Sequence, residues 1–595
     1  MKQVSYANLT AGTYRLARDI HIAGDYAICE YPLRAVRLNA TTRQLLSLCG
    51  DGCTCQKLAA QINLPIKRIE ALCKQLYWKG LLDAGPYEPP VKWPEVSIII
   101  PTHNRASQLE RCLRSLLALE YPASRLEVIV VDDGSTDDTG TLLQQLALVF
   151  SNKGSRLRIV RHAERLGVAT SRNSGAELAQ SELLAYIDSD CVASPCWLSE
   201  LVPAFQDAAI GAVGGMIRAY ERKSTLGRYE DVRSSLFMGV RPQQVQLKGP
   251  ITYLPTANLL VRRGLWEQVG GFAPLTFGED VDFCRRLLAS GSRILYLPQG
   301  TVYHDYRTSM KAFLQIHAAY ASSEAPLLQR HPDERRILIL PPEQAAFAAL
   351  VLGGIWGMLL GVMRQLTSKG NVSPSIWGGG LAGADHGGGR PPGSPPHIHN
   401  HPRPYNDHEA PLQGRGVIVG AGAVGRRSGD PCNRPGGKSI QLSRRQPAQD
   451  ILPGLLAIIL AILLTLPGTR KRVKQVRARR LPIGPLTVLR ATIRGHLAYT
   501  YHLCRHLTRY YTLPLLAAGL LLPPLILLVF IMCGIVIGVD YARLRPEMGL
   551  GRYALCSLLD DCAYEIGVLL GCIKQRTWKP LVPVIRRKNP TARSL

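Results

Sequence analysis

Residues 183–191 read Leu-Leu-Ala-Tyr-Ile-Asp-Ser-Asp-Cys, an apolar run that ends in two carboxylates two residues apart, Asp188 and Asp190. Successive side chains of a strand alternate faces, so positions i and i+2 share one. The spacing predicts that Asp188 and Asp190 point the same way from a strand end. Two uncompensated carboxylates side by side repel. A hard divalent ion such as magnesium or manganese relieves that repulsion and keeps positions for water and phosphate oxygens. The chemistry suggested is the holding of a diphosphate through a metal. Alone, an Asp-x-Asp step is more often a turn or a helix cap, and its neighbours decide the matter.

Those neighbours fall at expected strand ends. Ile98-Ile-Ile-Pro101-Thr102-His103-Asn104-Arg105 closes one apolar run: the His103 imidazole can lie against a nucleobase, and Thr102 and Asn104 offer hydrogen bonds. Val130-Val-Asp132-Asp133-Gly-Ser-Thr-Asp137 closes another, where a carboxylate can accept the N–H of a uracil ring or hold a ribose. Residues 167–175 open a helix carrying Arg172, whose planar guanidinium suits diphosphate oxygens. Phe277-Gly-Glu279-Asp280 opens a later helix. An isolated acidic pair there would merely complement the helix dipole. Beside an acceptor hydroxyl, a carboxylate of raised pKa can take up a proton. Ligands of open α/β sheets lie outside the carboxyl ends of the strands, where these loops gather.

In this order the motifs resemble the family 2 glycosyltransferases across residues 94–305. The resemblance implies an α/β nucleotide-sugar-binding domain of the GT-A type. It further implies that Asp133 contacts the base and that Asp188 and Asp190 hold the metal and the sugar nucleotide. Asp280, next to Glu279, would be the base of an inverting transfer, and His304 a third ligand to manganese or magnesium. Pro101, Thr102, His103 and Arg172 complete the expected donor contacts; Arg172 and the metal would stabilise the departing diphosphate. The processive synthases of that family carry Gln-x-x-Arg-Trp after the Glu-Asp step. Here the region reads Phe313-Leu-Gln315-Ile-His-Ala-Ala-Tyr, without the Arg and Trp, which speaks against polymer synthesis through that motif.

The elements that must position these groups follow from periodicity. Strands are expected at 96–100, 127–131, 157–160 and 183–187, and helices at 107–119 and 168–179, the alternation of a doubly wound α/β domain. Residues 1–88 form a separate small unit before a Pro-rich linker. Short strands near 27–31 and 35–38 precede helices starting at Asn39 and running over 58–62 and 66–82. That order resembles the PqqD-like family of winged-helix-like domains, which bind ribosomal peptide precursors. Domain limits are placed at 1–88, 94–310 and 311–367, then 368–450 and 451–595.

Three apolar stretches, 345–363, 451–466 and 513–539, are candidate membrane spans, the last interrupted by Pro523-Pro524. Lys and Arg exceed Asp and Glu by 71 to 44, a net +27. Much of the excess flanks these stretches, notably at 470–480 and 586–588, which favours anionic lipid over nucleic acid as partner. The first residues lack the apolar core of a signal peptide, so a cytoplasmic catalytic domain on the cell membrane is expected. Fifteen cysteines show no framework, and Cys49, Cys53 and Cys55 read as reduced thiols ahead of a zinc site. Residues 368–450, rich in Gly, Pro and His, read as disordered. Their Gly420-Ala-Gly422-Ala-Val-Gly425 lacks the helix a dinucleotide site needs, and His397, His399 and His401 have nothing to orient them.

The order of modules resembles the glycosyltransferases of mycofactocin systems, which add glucose to a redox cofactor made from a ribosomal peptide. That implies UDP-glucose as donor and a peptide-derived acceptor. A lipid or polyprenyl-phosphate acceptor, and an inactive peptide-binding scaffold, are the alternatives.

Overall fold

The computed structural model describes residues 12–30, 33–369 and 448–587. The chain divides into two compact units, residues 1–359 with 451–595, and residues 360–450. Of the second unit only the ends of two helices, Pro342–Lys369 and Ala448–Ala478, are described. The Gly/Pro/His-rich segment, with its glycine triplet and its histidines, lies outside the described residues.

Four parallel strands, Arg156–Arg161, Leu126–Asp132, Val96–Thr102 and Leu183–Tyr186, form half of an eight-stranded sheet. Leu259–Arg262 then joins antiparallel, followed by Ile210–Gly214, Arg293–Tyr296 and Gln243–Gln244. Alternate residues of the central strands feed different cores. Ile98, Ile100, Val128 and Val130 pack on one face, and Ile99, Ile129 and Val131 on the other. Burial on both faces is why these strands read as unbroken apolar runs. The helix Val168–Leu178 lies tight against the sheet at Gly175, where a Cβ would sit 2.6 Å from the Ile99 side chain.

A second, three-stranded sheet sets the site. Cys191–Ala193 pairs antiparallel with Val302–His304, which pairs parallel with Ile217–Ala219. The register puts His304 opposite Cys191, and the Asp305 amide donates to the Asp190 carbonyl at 2.9 Å. Residues more than a hundred positions apart meet because of this pairing.

The N-terminal residues form a three-stranded meander, Ile20–Ala23, Tyr26–Glu30 and Leu33–Arg37, and three helices. Asn39 caps Ala40–Leu48 by accepting from the Thr42 amide at 2.8 Å, as Ser/Thr/Asp/Asn caps do. Cys55–Ile62 and Ile66–Trp78 follow, their buried faces meeting Cys49, Cys53, Cys55 and Cys73 in one core. A third sheet, Thr13–Leu16 with Cys53–Thr54 and Leu82–Ala84, closes it.

The C-terminal helices refine the expected spans in two places, the second at the Pro523-Pro524 break that left a kink or a hairpin open. The apolar stretch 451–466 is the first part of one long helix that continues through the basic run to Ala478. The stretch 513–539 is not one span: Thr512–Leu521 and Pro524–Leu544 are separate helices. Proline lacks the amide a helix interior needs, so Pro523-Pro524 ends one helix and starts the next. The pair folds back on itself, with the Gly519 position 2.5 Å, measured from a Cβ built there, from the Ile526 side chain. Among the described residues three helices are long and apolar enough to cross a membrane: Pro342–Gln365, Ile451–Ala478 and Pro524–Leu544.

The helix Leu550–Lys574 presses on the helix Met310–Ser322. A Cβ at Gly567 would fall 2.1 Å from the Ala318 carbonyl oxygen, and one at Gly571 would fall 2.4 Å from that of Ser322. His317, for which the sequence suggested no role, bridges this contact. Its Nδ1 donates to Asp560 at 2.6 Å and its Nε2 to Glu230 at 2.9 Å. Burial opposes the charged ring, but the two carboxylates prevail and raise its pKa to about 9.

Candidate active site

The strand-end loops are locked to one another before they can face a ligand. Asn104 adopts a left-handed φ of 52°; its amide donates to Ser135 Oγ, and its side-chain oxygen accepts from the Thr136 amide at 2.8 Å. His103 Nδ1 donates to the Asp133 carbonyl at 2.8 Å. Thr102 is buried with its hydroxyl unpartnered, and Pro101 lines the cavity.

Asp133, expected at the base, also holds a loop. Its carboxylate accepts from His162 Nδ1 and from the Leu166 and Gly167 amides, each at 2.8 Å. Burial raises its pKa, yet these three donors outweigh it and hold the carboxyl below its usual range. The bonds fix the entry to the helix Val168–Leu178, at Gly167 with φ of 96°, and so aim Arg172. Neither Asp133 nor His103 is among the residues lining the cavity; Arg165, Leu166 and Gly167 are.

Asp188 and Asp190 do come together, in the turn between Leu183–Tyr186 and Cys191–Ala193, with the Cys191 amide donating to the Asp188 carbonyl at 3.0 Å. They are not uncompensated. Arg172 Nη2 donates to Asp188 at 2.8 Å and its Nη1 to Glu279 at 2.6 Å. Arg172 is therefore a buried link between the paired acids and the helix Glu279–Ala289, with both terminal nitrogens engaged. On the other side Arg105 Nη1 lies 2.5 Å from Asp190 Oδ2, and Arg307 lies 3.7 Å away. Burial raises the pKa of Asp190, but His304, Arg105 and Arg307 outweigh it and keep the carboxyl low.

The remaining oxygen, Asp190 Oδ1, is buried without a hydrogen-bond partner and sits 3.6 Å from His304 Nε2. That is too long for a hydrogen bond. An orphaned carboxylate oxygen facing an imidazole nitrogen fits a divalent cation with oxygen and nitrogen ligands. Cys191 offers its sulfur within the same cluster. Burial raises that thiol far above its ordinary pKa, so it stays protonated and is a poor ligand for a hard ion.

Asp280 lies in the cavity wall one residue into the helix Glu279–Ala289. Burial and the neighbouring Glu279 charge raise its pKa to about 8, against the pull of Arg172 and the Val281 amide. Asp282, two residues on, is fully buried and takes Arg286 and Arg330 at 2.8 Å and His331 at 2.9 Å, which anchors the helix. A carboxyl of raised pKa thus stands on a rigid element.

These groups open into one cavity of about 1100 Å³. Its other wall comes from residues far along the chain: Tyr320, Glu324, Leu327 and Arg336, then Arg509, Tyr510, Tyr564 and Pro580. Tyr510 donates to Glu324 Oε1 at 2.7 Å, and Tyr564 donates to the same oxygen. Of the residues without an expected role, Arg105 carried a signal, being a cation in a strand-end loop beside His103. The C-terminal wall carried none.

Residues 97–270 match the family described as Glycosyl transferase family 2. The pre-mycofactocin glycosyltransferase of Mycobacterium tuberculosis (strain ATCC 25618 / H37Rv) is 32% identical over 336 residues, covering 54% of this chain and 64% of the relative. This chain thus spans just under two thirds of that relative's length. Beta-monoglucosyldiacylglycerol synthase of Nostoc sp. is 30% identical over 202 residues, 33% of this chain and 41% of that one. A mannosyltransferase of Pyrobaculum calidifontis, solved with GDP-Man and Mn2+, superposes with a TM-score of 0.34 at 23% identity, covering 42% of this chain and 67% of its own.

Proposed function

We propose that this chain, which carries a family 2 glycosyltransferase domain over residues 97–270, is an inverting hexosyltransferase. It moves a sugar, glucose foremost, from a UDP-sugar to a hydroxyl of a peptide-derived acceptor of the mycofactocin type. One observation carries the reading: Asp280, a carboxyl of raised pKa, shares a cavity with the Asp188–Arg172–Glu279 chain of ion pairs and with the Asp190–His304 pair. Sugar transfer needs both a base and a place for a diphosphate.

In the transfer, Asp280 as carboxylate accepts the acceptor hydroxyl proton while that oxygen bonds to the anomeric carbon. The bond from that carbon to the diphosphate breaks, and UDP leaves with the electron pair. Inversion follows from attack opposite the leaving group. Asp190 and His304 would hold a divalent ion, manganese or magnesium, which when bound supplies positive charge toward the diphosphate. Arg172 holds Asp188 and Glu279 in place; Arg105 and Arg307, beside Asp190, are the cations nearest to a phosphate bound there. A base whose pKa sits near neutrality combines ionisation with proton affinity, the condition for general-base work.

The acceptor reading draws on the Mycobacterium tuberculosis relative. A lipid or polyprenyl-phosphate acceptor is the second reading, supported by three helices apolar enough for a membrane and by the Nostoc relative. The PqqD-like assignment of residues 1–88 fits the meander and helices described there, and a peptide precursor would be its partner.

The test is UDP release by the full chain in detergent, with manganese and a panel of nucleotide sugars. We expect metal-dependent release from UDP-glucose, stimulated by a small peptide-derived phenol or alcohol. Folded protein that releases UDP from no donor, with or without metal, overturns the reading.

A further inference from the structure

Of the arginines lining the cavity wall built by residues 316–336 and 509–580, Arg336 is left with two buried nitrogens that its surroundings do not satisfy. Arg336 precedes the strand Ile337–Ile339, which pairs in parallel with Val584–Arg586, and the Val584 amide fixes its carbonyl at 2.8 Å. Its guanidinium lies over the Tyr510 ring, 3.4 Å from the centroid. Nη2 donates to the Pro580 carbonyl at 2.6 Å and to the Tyr511 hydroxyl at 3.4 Å. Nε and Nη1 are buried and meet no acceptor.

The neighbouring cations on this wall are matched. Arg285 pairs with Glu334 at 2.7 Å, and Arg509 with Asp561 at 2.9 Å. Among the described residues Arg336 forms no ion pair. A buried donor is normally matched, and a guanidinium offers its N–H groups as a planar fork suited to a carboxylate or phosphate. Beside it, Tyr510 and Tyr564 are held by their hydroxyls on Glu324, and Leu327 and Pro580 add apolar surface. A charged fork next to fixed rings and aliphatic groups suits one kind of molecule: an apolar body with an oxyanion at one end.

We propose that Arg336 is the anion-binding residue of the acceptor subsite, taking the carboxylate or phosphate of an acceptor whose apolar part lies along Tyr510, Tyr564 and Leu327. The inference rests on the reading of this cavity as a sugar-transfer site and adds the class of acceptor. A peptide-derived acceptor would present a carboxylate, and a lipid-linked one a phosphate.

The experiment measures binding of phenyl phosphate, 3-phenylpropionate and the neutral 3-phenylpropan-1-ol to the full chain in detergent, alongside UDP. At least one anion should bind about tenfold or more tightly than the alcohol, as a charge-assisted hydrogen bond from a buried guanidinium nitrogen implies. Arg336→Gln should remove that preference and leave UDP binding unchanged. Arg336→Lys, which keeps the charge but not the fork, should keep part of it and serves if the glutamine variant no longer binds UDP. Equal binding of anions and alcohol by the wild type overturns the proposal, as does a preference undiminished in both variants. Whichever anion binds more tightly assigns the acceptor to the carboxylate or the phosphate class. A wild type that releases UDP but ignores ligand charge defeats the anion site alone. One that binds the anions but never releases UDP defeats the sugar-transfer reading instead.

Discussion

The two walls of the cavity are built in opposite ways. The wall bearing Asp188, Asp190 and Asp280 comes from loops at the ends of neighbouring strands, each within a few residues of the element that holds it. The wall bearing Glu324, Arg336, Tyr510 and Tyr564 is gathered from helices and a strand spread over some 240 positions of the chain. Local construction leaves its mark as short motifs with fixed spacing. Distant construction leaves none, since a tyrosine in an amphipathic helix reads the same whether it faces solvent, core or substrate. On the proposed reading the first wall holds a nucleotide diphosphate and the second selects the acceptor.

This contrast can be broken experimentally. The largest effect is expected at Asp280, whose replacement removes the proton acceptor itself. Asp280→Asn should lower transfer by roughly a thousandfold, within the range for general bases, while UDP binding is retained. Wild-type transfer should also climb with pH as the carboxyl ionises, its lower limb lying above the usual carboxylate range because Asp280 titrates near 8. Normal turnover in the asparagine variant, or a limb near pH 4, would remove Asp280 from the base role.

Asp190→Ala comes next. It should weaken manganese-dependent UDP binding about tenfold or more, since it deletes the unpartnered oxygen that faces His304. Titration of UDP with and without manganese measures this; an unchanged metal response would place the ion elsewhere.

The smallest expected effect concerns the joint between the walls. His317 is charged between Asp560 and Glu230, with a folded pKa raised to about 9. A histidine whose pKa is higher in the folded state stabilises fully below its unfolded value, about 6.5, and loses that contribution as pH rises through 9. The shift corresponds to a few kcal/mol at most, on the order of one kcal/mol per unit. Thermal melts should therefore show a decline between about pH 7 and 9 that His317→Gln abolishes. A decline of the same size in the variant would assign it to other groups.

How far the sequence disclosed the molecule follows the same division. The strands at 96–100, 127–131 and 183–187 were legible because both faces are buried, so nothing interrupts the apolar run. The helix entry at Gly167 was legible for its glycine. What periodicity could not show was the partner of each charge. Arg172 was read as a diphosphate contact, yet it spans Asp188 and Glu279, a consequence of the 16- and 107-residue separations that the sheet collapses. Asp133 was read as facing a base, yet its oxygens hold the loop at 162–167. The apolar run at 513–539 is long enough for one span, and Pro523-Pro524 outweigh its length. His304 lay where the family pattern suggested, and the short sheet with Cys191–Ala193 is the reason it reaches Asp190.

The parallel pairing of Ile337–Ile339 with Val584–Arg586 has a consequence for biogenesis. A ribosome emits the strand-end loops early, and the α/β part of the protein can collapse as it emerges. The cavity stays open on one side until position 586 has been synthesised and has paired with Ile337–Ile339. A polypeptide stalled or clipped before that point would own the strand-end loops but lack the second wall of the cavity.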